Sequence, residues 1–270
     1  VRAFTRTAQR SVAVCGTLTA GLVLACGSPG SGATPPPEDL RADVLETLPH
    51  DPTAFTQGFE IAHGTLYEST GLVGESDIRA TDLGTGTELA RAELAAPLFA
   101  EGLTVVDDRI WQLTWKSEVA IERDRETLEE LRRVGYEGEG WGLCYQRRHD
   151  RLVMSDGSDR LTFRDPDSFA PLDDVAVTSA GEAVERLNEL ECVGEDVYAN
   201  VWRSDTIVRI DPADGAVTAE IDASGLLDPQ DEDEAGVLNG IASVPGTDRF
   251  LLTGKNWPAS FRVRFVPAAS

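Results

Sequence analysis

From about residue 44 onward, apolar and polar positions alternate in short runs, and the runs pair across tight turns. A period of two predicts half-buried strands. One such pair recurs five times. The copies run from Gly58-Phe59-Glu60-Ile61 to Leu66-Tyr67-Glu68-Ser69-Thr70, and from Gly102-Leu103-Thr104-Val105 to Ile110-Trp111-Gln112-Leu113-Thr114-Trp115. The third runs from Gly142-Leu143 to Leu152-Val153-Met154-Ser155-Asp156, the fourth from Glu189-Leu190-Glu191 to Val197-Tyr198-Ala199-Asn200-Val201-Trp202, and the last from Gly240-Ile241 to Phe250-Leu251-Leu252-Thr253-Gly254-Lys255. Their starts lie 44, 40, 47 and 51 residues apart, with no long amphipathic helix between them. Hairpin repeats of this length are expected of propeller blades rather than helical solenoids.

A second hairpin follows the first, most clearly at Ile78–Leu83 and Glu88–Leu94, and again at Thr206-Ile207-Val208-Arg209-Ile210 and Val217–Ile221. Asp-Pro and Asp-Gly between such runs are turn chemistry. Each blade therefore has four strands. The fifth copy is followed by one strand only, Phe261–Val266, and its missing partner is available in Val44-Leu45-Glu46-Thr47-Leu48. The expected fold is all-β: a five-bladed β-propeller over residues 41–270, four strands per blade, closed by an N-terminal strand that hides two sheet edges.

The first residues read differently. Arg2, Arg6 and Arg10 precede a mostly apolar run from Ser11 to Leu24, then Val23-Leu24-Ala25-Cys26 and Gly27-Ser28-Pro29. Residues 1–26 are expected to be a lipoprotein-type signal peptide, with Cys26 the lipidated residue, and residues 27–40 a flexible tether; the alternative is an ordinary secretory signal with an incidental Cys. That places the domain outside the cytoplasm, touching membrane only through its lipid. Two cysteines remain in the mature domain. Cys144 and Cys192 fall at opposite parity in equivalent strands, which predicts side chains on opposite faces and two unpaired thiols.

The chain carries 47 acidic against 24 basic residues, a formal net charge of −23. A surface so acidic repels phosphate backbones and makes nucleic acid a poor partner. The hydrophobic content, 41%, is enough for a packed core. The acidic run Asp228–Glu234 lacks the glycine and ligand spacing of a calcium loop and reads as a solvated insertion.

In a propeller the first strand of each blade lines the channel, so the residue preceding each copy sits at one channel mouth. Those residues are Gln57, Glu101, Trp141, Asn188 and Asn239. The second strand returns to the same face and ends at Trp115, Asp156, Trp202 and Lys255, with Glu68 earlier in its strand. Amides, indoles, carboxylates and one lysine converging from different blades describe a lined pocket. A carboxyl group hemmed in by indoles has its pKa raised, which suits proton shuttling. His50, His63 and His149 stand in no ligand spacing, and neither a nucleophile elbow nor a phosphate loop is present.

The same residues carry a resemblance. His50-Asp51-Pro52-Thr53-Ala54-Phe55-Thr56-Gln57-Gly58, Glu101-Gly102-Leu103-Thr104, Glu139-Gly140-Trp141-Gly142-Leu143, Leu187-Asn188-Glu189-Leu190-Glu191, Val237-Leu238-Asn239-Gly240-Ile241 and Thr253-Gly254-Lys255-Asn256-Trp257-Pro258 resemble the plant-type glutaminyl-peptide cyclotransferases of bacteria and plants. The likeness spans about residues 44–266. Phe59, Ala100 and Cys144 are its small departures. It implies a five-bladed propeller that turns the N-terminal glutamine of peptides into pyroglutamate and releases ammonia, without a catalytic metal. A structural ion in the channel stays open. Glu101 is the implied acid–base group. Gln57, Asn188 and Lys255 would orient or stabilise the carbonyl, and Phe55, Trp115, Trp141 and Trp202 would form the walls. Glu68 and Asn239 join the expected substrate-binding set. A monomer is expected. The rival readings are a non-catalytic peptide- or glycan-binding propeller and a calcium-dependent lactonase-like hydrolase. The second needs several carboxylates at the mouth, where only Glu101 is available.

Overall fold

The computed structural model describes residues 35–228, 230–231 and 235–268, besides Ala3. The expected signal peptide with Cys26, most of the expected tether and part of the run Asp228–Glu234 lie outside the described residues.

Among the described residues there are twenty-two strands and no helix. Strand β1 spans Glu38–Pro49. Then come three four-stranded antiparallel sheets, each in chain order. The first is β2 (Thr56–Ala62), β3 (Thr65–Thr70), β4 (Asp77–Asp82) and β5 (Glu88–Glu93). The second is β6 (Ala100–Val106), β7 (Arg109–Thr114), β8 (Val119–Asp124) and β9 (Glu130–Gly135). The third is β10 (Leu143–Gln146), β11 (Arg151–Ser155), β12 (Arg160–Arg164) and β13 (Pro171–Ala176). A two-residue pair, β14 (Thr178–Ser179) and β15 (Glu182–Ala183), leads to β16 (Leu187–Val193), β17 (Asp196–Val201), β18 (Thr206–Asp211) and β19 (Ala216–Asp222). The chain ends in β20 (Leu238–Ser243), β21 (Arg249–Gly254) and β22 (Ala259–Pro267).

β1 lies antiparallel beside β22, pairing from Leu40 with Pro267 to Pro49 with Ala259. The N-terminal strand thus supplies the fourth strand beside β20–β22, starting six residues earlier than its apolar run, at Glu38. Its first residues, Glu38–Arg41, also pair in parallel with Ala219–Asp222 of β19. The last two groups are therefore joined at their outer edges into one ten-stranded sheet that includes β14 and β15.

The inner strands touch in a closed circuit: β2 with β6, β6 with β10, β10 with β16, β16 with β20 and β20 with β2. The core follows the same division. Phe59 and Ile61 meet Ala242 and Leu251; Tyr67 and Ile78 meet Leu103 and Ile110; Trp111 and Leu113 meet Leu143 and Leu152. Each fully buried Leu or Ile in these seams contributes roughly 1.5–3 kcal/mol. Between the two outermost strands, a short Asx turn recurs. Asp82 Oδ1 accepts from the Gly84 and Thr85 amides, Asp124 Oδ1 from Glu126 and Thr127, and Asp165 Oδ1 from Asp167 and Ser168. Aspartate followed three residues later by Thr or Ser closes the reversal from within.

Glycine at the head of an inner strand reflects crowding. A Cβ on Gly142 would lie 2.0 Å from the Asn188 carbonyl oxygen, and one on Gly102 2.7 Å from the Leu143 nitrogen. Immediately beyond, pairing slips by one residue, between Thr56 and Gly58 in β2 and between Ala100 and Leu103 in β6. Such a bulge re-aims the side chain beside it. Here that side chain is Gln57 or Glu101.

The expectation of free thiols is overturned. Cys144 and Cys192 form a disulfide, with Cα atoms 5.4 Å apart. Their opposite parity was read correctly but interpreted for the wrong geometry. Neighbouring sheets stack face to face, so the face that β10 turns toward β16 has the opposite parity to the face that β16 turns back. Both cysteines belong to the apolar seam holding Val153, Leu161, Leu190 and Val197.

Candidate active site

Eight of the ten proposed residues line one cavity of ≈ 450 Å³: Phe55, Gln57, Glu101, Trp115, Trp141, Asn188, Trp202 and Lys255. Strand geometry explains the convergence. Gln57, Glu101 and Asn188 are the second residues of β2, β6 and β16, and Trp141 stands two residues before β10. Trp115, Trp202 and Lys255 each follow the last residue of a second strand, after Thr114, Val201 and Gly254. Inner strand and return strand thus present their ends at the same face.

Glu101 is 5% exposed and Lys255 7%. The carboxylate accepts a hydrogen bond from Gln57 Nε2 at 3.0 Å. Gln57 is itself oriented, because its Oε1 accepts from Asn239 Nδ2 at 3.2 Å while the same nitrogen donates to the Thr56 carbonyl at 2.9 Å. Burial raises the Glu101 pKa well above the usual carboxylate range, the Lys255 charge draws it part of the way back, and the Glu139 charge adds to the rise. Burial lowers the Lys255 pKa, against the pull of Glu101. One buried acid and one buried base therefore share the cavity, each less willing to be charged than in water. Lys255 Nζ also stands 4.8 Å from the centre of the Phe55 ring.

The aromatic walls are braced. Trp141 meets Trp202 edge to face at 5.4 Å, and Trp115 meets Phe99 at 5.5 Å. Glu139 Oε2 accepts from both Trp115 Nε1, at 2.7 Å, and Trp141 Nε1, at 3.0 Å. Burial works against the Glu139 carboxylate, but these two donors and Lys116 hold its pKa below the usual value. Trp141 lies flat against Gly157, where a Cβ would come within 2.6 Å of the ring.

These features set a buried carboxyl group, a buried lysine and three indoles on a frame of repeated hairpins. A profile of the glutamine cyclotransferase family matches residues 17–265. The chain belongs to the glutamine cyclotransferase family. A glutaminyl-peptide cyclotransferase of Arabidopsis thaliana is 37% identical over 234 residues, which is 84% of this chain and 72% of the plant protein. The crystal structure of Myxococcus xanthus glutaminyl cyclase superposes with a TM-score of 0.77 at 38% identity, covering 86% of this chain and all of that one.

In this family member, two of the expected substrate-binding residues stand behind the cavity rather than in its wall. Asn239 underlies Gln57, as described. Glu68 is buried beside His50, whose Nε2 is 3.0 Å from Glu68 Oε1, and it also accepts from Thr56 Oγ1 at 2.6 Å. Burial opposes both charges, yet the pair wins: the His50 pKa is raised and that of Glu68 is lowered. His50 Nδ1 is 2.7 Å from the Trp257 carbonyl, so both ring nitrogens are engaged. Sequence reasoning missed Phe99, Arg203, Gly236 and Val237 in the cavity wall. Phe99 and Val237 stand two residues before Glu101 and Asn239, as Phe55 stands before Gln57, so an unread repeat position marked them, whereas Gly236 has no such equivalent. Glu139 was quoted in a motif without a role, although its place two residues before Trp141 was a usable signal.

Proposed function

We propose that the cavity cyclises the N-terminal glutamine of peptides and proteins to pyroglutamate, with Glu101 as the shuttle for the one proton that must move. The chain acts as a glutaminyl-peptide cyclotransferase, an acyltransferase whose acceptor is the substrate's own amine. The neutral α-amine attacks the side-chain γ-carbonyl carbon. A C–N bond forms, closing a five-membered lactam, and the C–NH₂ bond breaks. Glu101 takes the proton that the attacking nitrogen must lose and returns it to the departing nitrogen, which leaves as ammonia. A carboxyl group whose pKa is raised by burial suits both halves of that transfer, because it holds the proton more readily than an exposed carboxylate does and still returns it.

Asn188 Oδ1 is buried without a hydrogen-bond partner among the described residues, so it is free to accept from the substrate's α-amino N–H. Lys255 offers a cation to the oxyanion that develops on the γ-carbonyl. Trp115, Trp141 and Trp202, braced as described, force the substrate side chain into the folded conformer that ring closure requires. Both His50 nitrogens are already engaged, by the Trp257 carbonyl and Glu68, so this imidazole is not offered to a metal. We read the circuit of inner strands and their outer partners as a five-bladed propeller of four strands each, closed by β1. The run Val23-Leu24-Ala25-Cys26 supports export and a lipid anchor on Cys26 at the outer face of a bacterial membrane.

The burial of Glu101 at the centre of the indole-lined cavity carries this reading. Glu101→Gln preserves shape and hydrogen bonding but removes the titratable proton. Release of ammonia from a Gln-initiated peptide should fall about 10²–10⁴-fold, with little change in melting temperature. A folded variant cyclising at the wild-type rate would defeat the mechanism.

A further inference from the structure

A second cavity, of ≈ 470 Å³, adjoins the first and shares Arg203, Gly236 and Val237 with it. It lies between the turn Arg203-Ser204-Asp205, which joins β17 to β18, and residues Ala223, Gly225–Leu227 and Ala235–Leu238. Its lining is apolar on one side, through Ala223, Leu226, Leu227, Ala235 and Trp257. Ala223, Leu226 and Trp257 are core residues, whereas Leu227 and Ala235 pack on that core but stay only partly buried. Apolar surface is thus left open in a recess that a substrate can reach.

On the cyclotransferase reading, the first cavity takes the N-terminal residue of the substrate. A peptide whose first residue fills it must continue from that residue's carbonyl, and the shared wall leads into the second recess. Arg203 stands at this junction, exposed, with its guanidinium 4.3 Å from the centre of the Trp202 ring. There it can donate to the carbonyl linking the first and second residues of the substrate. Asp205 at the rim, on a chain of net charge −23, disfavours an acidic side chain in the recess.

We propose that the second cavity is the subsite for the residue following the N-terminal glutamine, and that it selects peptides with an apolar side chain there. This rests on the cyclotransferase reading above. The selection is energetic rather than steric: an apolar side chain covers Leu227 and Ala235, a polar one of similar size gives up water against that floor, and glycine leaves the floor wet.

Three peptides that differ only at position two, Gln-Leu, Gln-Asn and Gln-Gly, test it. Each is extended by the same residues and amidated at its C-terminus, so that no terminal carboxylate meets Arg203. Ammonia release gives kcat/KM for each with the wild-type chain and with Leu227→Asp, whose folding is checked by circular dichroism and melting. The wild type should prefer Leu over Gly by about tenfold or more, and over Asn in the same direction. In Leu227→Asp the Leu-to-Gly ratio should collapse toward one. Equal rates on all three peptides in the wild type overturn the subsite, as does a variant that loses activity on all of them in equal proportion. Absence of ammonia from every peptide overturns instead the cyclotransferase reading on which it rests.

Discussion

Glu139 lies outside the reacting cavity, yet one of its oxygens holds two of the three indole walls, at 2.7 Å to Trp115 Nε1 and 3.0 Å to Trp141 Nε1. Removing it with Glu139→Ala breaks both bonds at once. A hydrogen bond to a charged group is worth about 1.5–3 kcal/mol, but this side chain is 38% exposed. Water then screens the charge and replaces part of each bond. A total near 1.5 kcal/mol is the reasonable expectation, or about tenfold in kcat/KM. Glu139→Gln separates geometry from charge. Its amide oxygen still accepts from both indoles, so the walls stay in place, but the negative charge that helps hold the Glu101 proton is gone. Glu101 must be ionised to accept the amine's proton, so the acidic limb of the kcat/KM profile follows its pKa. That limb should shift to lower pH in Glu139→Gln, with KM nearly unchanged, whereas Glu139→Ala should also raise KM and alter the tryptophan emission. The assay is ammonia release from one Gln-initiated peptide between pH 5 and 9, with fluorescence on the same samples. Emission and kinetics indistinguishable from wild type in Glu139→Ala, or an unmoved acidic limb in Glu139→Gln, would refute the reasoning.

Three further outcomes are expected. Cys144→Ser opens a disulfide that spans 48 residues; loop-closure entropy puts its loss at up to about 4 kcal/mol, or roughly 8–16 °C in calorimetric melting temperature, and thiol titration of the denatured, unreduced wild type should find neither Cys144 nor Cys192 free. Burial raises the Glu60 pKa to about 7, against the Val105 N–H and the Arg147 charge. A pKa raised on folding gives stability that is complete below about 4.5 and is lost as pH rises through about 7, so Glu60→Gln should reduce the fall in melting temperature between pH 5 and 8, though not abolish it, since Glu189 and Glu191 are raised too; an unchanged slope would exclude Glu60 as a source. Trp202→Ala removes a wall of the cavity and the partner of Trp141, so KM should rise about tenfold and kcat should also fall; a change in kcat alone would place Trp202 outside substrate binding.

Much of the site was legible because it is periodic. Gln57, Glu101, Asn188 and Asn239 precede the same position of successive hairpins, and Trp115, Trp202 and Lys255 follow the same strand ends, so a repeat alignment places them together before any coordinates exist. Glycine after Gln57, Glu101, Trp141 and Asn239 marks the crowded start of each inner strand for the same reason. Strand alternation and turn chemistry are local, and local rules survive folding.

What the tertiary structure decided is how surfaces distant in sequence meet. Parity within a strand tells which face a side chain takes, but not that the opposite faces of two neighbouring sheets confront each other, and on that the Cys144–Cys192 bond depends. Glu68 sits three residues before the exit position of its strand, is claimed by His50, 18 residues away in the chain, and stands outside the cavity wall. Asn239 holds its repeat position, yet its amide is spent on orienting Gln57. Gly236 comes from a connecting segment whose length varies from copy to copy, so no period marks it, whereas Arg203 follows Trp202 as Lys116 follows Trp115 and only packing brings it into the cavity wall. A repeat dictates which positions are equivalent, whereas the partner each side chain finds depends on packing between sheets, where no sequence periodicity reaches.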